Sequence, residues 1–503
     1  MKGFLKFIYN NRIAIAVTAV LSAAVRFAML ACFKPGIDTV SYIYNPDGYY
    51  EPWNMVGRFG LTFLSRCMGR NFNPYVTGIV TVILLVFAAV VSAYVCAYAL
   101  QDDEPGFAAF ALPALLFTLH PIMTEQLYFA LQSIEVCLAY IFVSVSVLIV
   151  AHQADKETGK PYMYIPAVLL FAFGVSIYQA FCEVFIFETA AVLLFASLKR
   201  NGKLKDTIPY ISVFAVGFAL YLITARIVSG GSSYYGGEVR WGKYPVKDNL
   251  IGLAGAVIKS LTGYNDPHYS FTYGLLVVCA LILLAVYTKD RKEGRVMTWL
   301  YMCAMLICPY LLAAVSGGYS PIRTKLSLPV SVAFVACLCI YLAGRSADKV
   351  KKSATVIAAV ICVSGILAES YVTLGMYRAA DMCYEKETAL AKEIAADIDE
   401  VMQGADLPVL FIGKKEISSE VGGIKGETIG YSHFEWDTDV PPKYYRSTER
   451  IIALMHLTGH EYKMIEDLSL LNDLDARTAS YPSWPEEGSV VKEDKVILVK
   501  LSD

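Results

Sequence analysis

Tyr75-Val-Thr-Gly-Ile-Val-Thr-Val-Ile-Leu-Leu-Val-Phe-Ala-Ala-Val-Val-Ser-Ala-Tyr-Val-Cys-Ala-Tyr-Ala99 decides the fold. It carries no charged residue and is longer than the roughly 20 residues that take an α-helix across a bilayer. In lipid every backbone N–H and C=O must be satisfied within the segment, so a run of this kind spans as a helix. Comparable runs lie at 13–33, 107–120, 128–151, 162–178, 180–198, 208–228, 272–288, 296–315, 326–343 and 353–374, eleven in all. The third is short, and the fifth and sixth are almost fused, which predicts a tight hairpin around Tyr178-Gln179. The first run is too long for a cleaved signal peptide and lacks a small-residue cleavage site.

These runs end near Met376, and the chain then becomes rich in Glu, Asp and Lys. The sequence therefore divides into a polytopic membrane domain, 1–376, and a soluble α/β domain, 377–503. The whole chain is 17% charged and 56% hydrophobic, with a mean hydropathy of +0.49, against about 25% charged in soluble domains. A net charge of −2 offers nothing to a nucleic-acid backbone. The twelve cysteines fall mostly inside the apolar runs, where Cys packs as a small apolar residue, and no spacing suits a metal.

Short basic loops set the orientation. Lys2, Lys6 and Arg12; Lys156 and Lys160; Lys199, Arg200, Lys203 and Lys205; Lys289, Arg291, Lys292 and Arg295; and Arg345, Lys349, Lys351 and Lys352 all fall on one side of an eleven-span chain. That side is the cytoplasm. The N-terminus is then cytoplasmic and the C-terminal domain extracytoplasmic in a multi-pass cell-membrane protein. Within the C-terminal domain the pattern predicts helices over 378–403 and 447–458, a strand over 408–413, and a hairpin from 490–491 and 495–500. His433, His456 and His460 read as surface or helix residues.

The outer side collects the residues with chemistry. The first outer loop, Asp38-Thr-Val-Ser-Tyr-Ile-Tyr-Asn-Pro-Asp47-Gly-Tyr-Tyr-Glu51-Pro-Trp53, runs on to Gly57-Arg58. An acid backed by aromatic walls can take a proton from a hydroxyl, and Trp53 offers a face for a sugar ring; the same acids also suit a plain solvated loop. His120-Pro-Ile-Met-Thr-Glu125 ends the third run; ionisable groups at the membrane edge suit a functional pocket, with a polar cap on the span end as the alternative. In Ser176-Ile-Tyr178-Gln179-Ala-Phe-Cys-Glu183, one helical turn separates Gln179 from Glu183, which predicts that they face together. Gly317-Gly-Tyr-Ser-Pro-Ile-Arg323-Thr-Lys325 puts two cations beside a Gly-rich turn, on the side where positive charge is depleted. That suits a phosphate, with a snorkelling interfacial pair as the alternative. The loop 229–271, with Asp266-Pro-His268, reads as flexible and aromatic.

The order of these pieces resembles the type-II Gtr glucosyltransferases, the bacterial membrane family that decorates O-antigen and related surface polysaccharides. It runs from an acidic outer loop ending in Gly57-Arg58, through His120-Pro…Glu125, Tyr178-Gln179 and Arg323, to Asp381-Met-Cys-Tyr-Glu385 before a small soluble domain. The resemblance implies a C-type glycosyltransferase architecture that uses a polyprenyl-phosphate sugar, made inside and flipped outward, without a cofactor or metal. It implies an acid of the first outer loop as base, with Asp38 first and Asp47 second. Family members often show paired Asp-Asp at the loop start, whereas Thr39 follows Asp38 here, so both acids stand as candidates. Trp53, Arg58, His120, Glu125, Tyr178, Gln179, Arg323 and Lys325 are the implied substrate-binding residues. The reaction implied is an inverting transfer of a hexose, glucose first, to a cell-surface polysaccharide. The rival readings are a lipid-linked saccharide transporter or flippase, and a polysaccharide polymerase or ligase. The first predicts inverted repeats with broken mid-membrane helices, and no such repeat is found.

Overall fold

A computed structural model describes residues 2–31, 34–46, 48, 50–69, 72–101, 106–155, 160–229, 239–291, 293–417 and 422–502. Among them, eight helices are long and apolar enough to cross a membrane: Pro74–Leu100, Ala130–Ala154, Phe181–Lys199, Leu204–Ser229, Phe271–Thr288, Arg295–Ser316, Ser327–Gly344 and one within Lys351–Met402. Two bent pairs raise the number to ten if each is one span, and Pro161–Ile177 is a shorter apolar helix. This is a polytopic helical membrane protein with a small three-stranded sheet near its C-terminus.

The opening stretch shows why the spans start where they do. Asn73 accepts hydrogen bonds from the Tyr75 and Val76 N–H groups, both at 3.1 Å, and Pro74 occupies the first helical position, where no N–H is needed. Inside the bundle, small hydroxyls tie the helices together: Thr81 to Ser133 at 2.8 Å, Ser22 to Thr118 at 2.8 Å, and Ser144 donating to Glu188 at 2.7 Å.

The third expected run is bent by 47° between Phe107–Leu119 and Pro121–Leu127. Pro121 lacks an N–H and forces the preceding residue out of the helical region; His120 sits at φ −56°, ψ 133°. Its ring Nδ1 then accepts from the Ile122 N–H at 3.2 Å and caps the second half. The first run folds as Arg12–Val25 followed by a short helix at Phe27–Ala31, and a 69° bend precedes it, between Gly3–Asn10 and Arg12–Val25. The fifth and sixth runs form the expected hairpin, with Ile165–Ile177 and Phe181–Lys199 joined through Tyr178-Gln179-Ala180.

Two expectations need correction. The loop 229–271 contains a helix, Val246–Thr262, ended by Gly263 at φ +67°, whose N–H bonds the Lys259 carbonyl at 2.8 Å. Its apolar residues Leu250, Leu253, Val257 and Leu261 recur at helical spacing; Gly252 and Gly255 break up the pattern. His433 is not a surface residue: it is buried, and its Nδ1 lies 3.1 Å from Glu387, which also accepts from the Ser432 hydroxyl and the His433 N–H, both at 2.9 Å.

The chain forms two compact units. The first holds Met1–Phe33 and Tyr50–Leu374; the second holds Lys34–Tyr49 and Gly375–Asp503. In the second, β1 (Val409–Ile412) pairs parallel with β3 (Ile497–Lys500), and β2 (Val490–Lys492) pairs antiparallel with β3. Ile394 and Ile398, one turn apart on the helix Asp348–Met402, bury against Phe411, Ile451, Leu454 and Trp484. Val40, from the helix Ile37–Tyr44, joins this core and is fully buried. The first outer loop is thus helical where its first acid lies.

Candidate functional site

Arg58, Tyr178 and Gln179 meet in the first unit. Gly57 turns the chain at φ +76°, and a Cβ there would stand 2.8 Å from the Tyr221 hydroxyl oxygen. The close approach lets Gln179 Nε2 donate both to the Val56 carbonyl at 2.8 Å and to the Tyr221 hydroxyl at 2.9 Å. The Arg58 guanidinium lies over the Tyr178 ring, 4.2 Å from its centroid. Trp53 is buried edge-on to Tyr50, with ring centroids 5.7 Å apart. Gly57→Ala combines a disfavoured backbone with this contact and is expected to cost about 1–2 kcal/mol, read as a lowered thermal midpoint in detergent.

Glu183 does not join Gln179, because Gln179 lies in the turn before the helix and one-turn spacing does not apply. Glu183 instead accepts from the Leu312 N–H at 3.0 Å and from the Ser327 hydroxyl at 2.7 Å.

A second group in the same unit is built around a residue with no assigned role in the sequence reading. His268, from the turn before Phe271–Thr288, holds Nε2 3.2 Å from Glu125 Oε2 and Nδ1 2.8 Å from Asp266 Oδ1. Glu125 is 0% exposed and His268 3%. Burial alone would lower the imidazolium pKa, but hydrogen bonds to Asp266 and Glu125 outweigh it and raise it from 6.5 to about 9. Burial likewise pushes Asp266 up, and the His268 contacts outweigh it, leaving Asp266 lowered. His268 is therefore protonated at neutral pH, a cation between two carboxylates.

Lys325 donates to the Tyr269 hydroxyl at 2.8 Å, beside His268 in sequence. Arg323, on the turn Ile322–Thr324, lies over the Phe129 ring at 5.3 Å. Lys325, through Tyr269, lies beside the Glu125, Asp266 and His268 set, with Arg323 two residues earlier over Phe129, while the Nδ1 of His120 serves the helix cap. Arg26 was also missed. It is fully buried, donating from Nε and Nη2 to the Thr118 carbonyl at 3.0 and 2.6 Å and from Nη1 to the Thr124 hydroxyl at 3.3 Å. Its signal was a lone Arg inside an apolar run.

Asp38 belongs to the second unit, in the first turn of Ile37–Tyr44. Its side chain is 35% exposed, and its Oδ1 lies 3.8 Å from Nη1 of Arg450. Arg450 donates from Nε to Asp437 at 2.5 Å. Asp47 lies outside the described residues. Asp38 is thus a half-buried carboxylate facing a cation. Beside His268, Lys325 offers a cation that suits an anion.

Comparison with curated proteins finds no match. The family model for glucosyl transferase GtrII matches residues 27–340, more than half of the chain. That range contains Asp38, Asp47, Trp53, Arg58, His120, Glu125, Tyr178, Gln179, His268, Arg323 and Lys325. The chain belongs to the glucosyl transferase GtrII family, and it is a membrane-embedded glucosyltransferase.

Proposed function

We propose that the protein moves glucose from a polyprenyl-phosphate donor to a cell-surface polysaccharide on the extracytoplasmic face, with inversion at the anomeric carbon. Residues 377–503 form the extracytoplasmic domain. The observation that carries the reading is Lys325, bonded to Tyr269 beside a protonated His268 and two residues after Arg323, in a segment that the basic-loop distribution reads as external. A phosphate-linked lipid sugar needs such cations, because its leaving group departs as a phosphate monoester.

In this reading the Asp38 carboxylate takes the proton of an acceptor hydroxyl, with Asp47 as the second candidate. The hydroxyl oxygen forms a bond to the anomeric carbon while the bond from that carbon to the phosphate oxygen breaks. Polyprenyl phosphate leaves with the electron pair, and Arg323 and Lys325 hold its charge. The protonated acid then returns its proton to water. Trp53, Arg58, Tyr178 and Gln179 take part in substrate binding, and His120 and Glu125 line the anion group.

Initial rates with purified protein, polyprenyl-phosphate glucose and the glycan test this. A charge-assisted hydrogen bond is worth about 1.5–3 kcal/mol, so Arg323→Ala or Lys325→Ala is expected to raise the donor KM about 10–100-fold. A wild-type donor KM in both variants contradicts the assignment. A reporter fused to the C-terminus is expected to read as external; a cytoplasmic signal contradicts the topology.

A further inference from the structure

The second unit contains a cavity of about 750 Å³ that none of the roles above uses. It opens where β1 and β3, which run parallel, both end: Ile412, Gly413 and Lys414 follow from one strand, and Lys500 and Ser502 from the other. The carboxyl ends of parallel strands are where open α/β sheets bind ligands. Gly413 keeps the floor clear at φ +78°, where a Cβ would stand 2.4 Å from the Ser502 carbonyl oxygen. A volume of this size takes a ligand of several sugar rings rather than a single small ion.

The wall carries both signs of charge. Glu435, Asp437, Asp439 and Asp475 face Lys414, Lys443 and Lys500, four carboxylates against three ammonium groups. Some of these groups are held in place by one another: Asp475 accepts from Lys443 at 2.6 Å and from the Tyr444 hydroxyl at 2.7 Å. A near-balanced wall gives no net attraction to a phosphate or a nucleotide. It offers acceptors and donors at close spacing, which is what a neutral polyol requires, since each sugar hydroxyl both donates and accepts. One wall residue also leads to the acid assigned as base. Asp437 accepts from Arg450 Nε at 2.5 Å, and Arg450 Nη1 lies 3.8 Å from Asp38.

We propose that this cavity binds a neutral oligosaccharide stretch of the acceptor polymer, and that Arg450, bonded to its wall at Asp437 and facing Asp38, is a positioning residue for the base. The inference rests on the reading of the acceptor as a glycan. It gives the C-terminal domain a task, holding the acceptor chain while its hydroxyl reacts.

Binding can be measured apart from transfer. Full-length protein in detergent is titrated with fluorescently labelled oligosaccharides cut from the producing organism's surface polysaccharide. The binding constant is compared between wild type and the double variant Asp439→Ala/Lys443→Ala, whose two side chains are exposed. Loss of one or two hydrogen bonds to charged groups is expected to weaken binding at least about tenfold, with an unchanged thermal midpoint. Asp38→Asn is expected to bind the oligosaccharide as wild type does, so a failed transfer assay leaves this measurement intact. A water-soluble short-chain prenyl-phosphate glucose is added as competitor and is expected not to displace the oligosaccharide. Equal binding by the double variant, absence of binding by wild type, or displacement by the prenyl-phosphate sugar overturns the assignment. For the positioning role, Arg450→Lys is expected to keep oligosaccharide binding and partly rescue the kcat lost in Arg450→Ala. Equal kcat in Arg450→Ala and wild type overturns that part.

Discussion

Asp38→Asn is expected to lower the turnover of glucosyl transfer about 10²–10⁴-fold, the usual worth of a positioned general base. Asn keeps the shape of the side chain and cannot take a proton. The fold should tolerate it. Asp38 is 35% exposed and stands 3.8 Å from Arg450, a pair worth at most about 1 kcal/mol at that exposure, and Arg450 retains Asp437 at 2.5 Å. Val40, which anchors the helix Ile37–Tyr44 in the core, is untouched. The loss should therefore fall on kcat, with the donor KM and the thermal midpoint close to wild type. Full activity in Asp38→Asn with none in Asp47→Asn would move the base to Asp47, and full activity in both would remove the loop from the chemistry.

The second large effect concerns His268. Removing it by His268→Ala takes the imidazolium hydrogen bond away from the Glu125 carboxylate, which is 0% exposed. Breaking a buried ion pair in this way costs about 3–5 kcal/mol, and the unfolding midpoint should drop accordingly. Glu125→Gln in the same chain removes the buried charge, so the double variant should recover part of the loss, and the cycle gives the coupling directly. The pair also makes stability depend on pH. His268 binds its proton more tightly folded than unfolded, with a pKa raised from 6.5 to about 9. Its contribution is full below pH 6.5 and is lost as pH rises through about 9. The change is on the order of 3 kcal/mol. Unfolding followed across that window should show the slope in wild type and its loss in His268→Gln. An equal slope in both would place the titration elsewhere.

The helical frame was open to reading because lipid leaves the backbone no other solution: an uncharged run such as 75–99 has to be a helix, and the chain folds it as Pro74–Leu100. The hairpin at Tyr178-Gln179 and the strands of the C-terminal sheet followed from equally local signals, a polar break between apolar runs and short β-branched stretches. Pairings across long sequence distance were not legible. Nothing near Glu125 announces His268, 143 residues later, and nothing near Asp38 announces Arg450. His433 was misjudged for the same reason, since its burial depends on Glu387, 46 residues before it. The Gln179–Glu183 expectation failed locally, because helical spacing was applied across a helix start. Val246–Thr262 was hidden by its glycines, and the place of Ile37–Tyr44 in the second unit's core rests on Val40 and Tyr44, two among many apolar residues.

The most direct test of the central claim is the stereochemistry of a single transfer. Purified protein is given polyprenyl-phosphate glucose, ¹³C-labelled at the anomeric carbon and of known configuration, together with the surface polysaccharide, and the product is examined by NMR. Labelled glucose on the glycan with the opposite anomeric configuration is the result expected of a base-assisted single displacement. Labelled glucose with the donor's configuration, or incorporation from a nucleotide sugar and not from the lipid-linked donor, would contradict it.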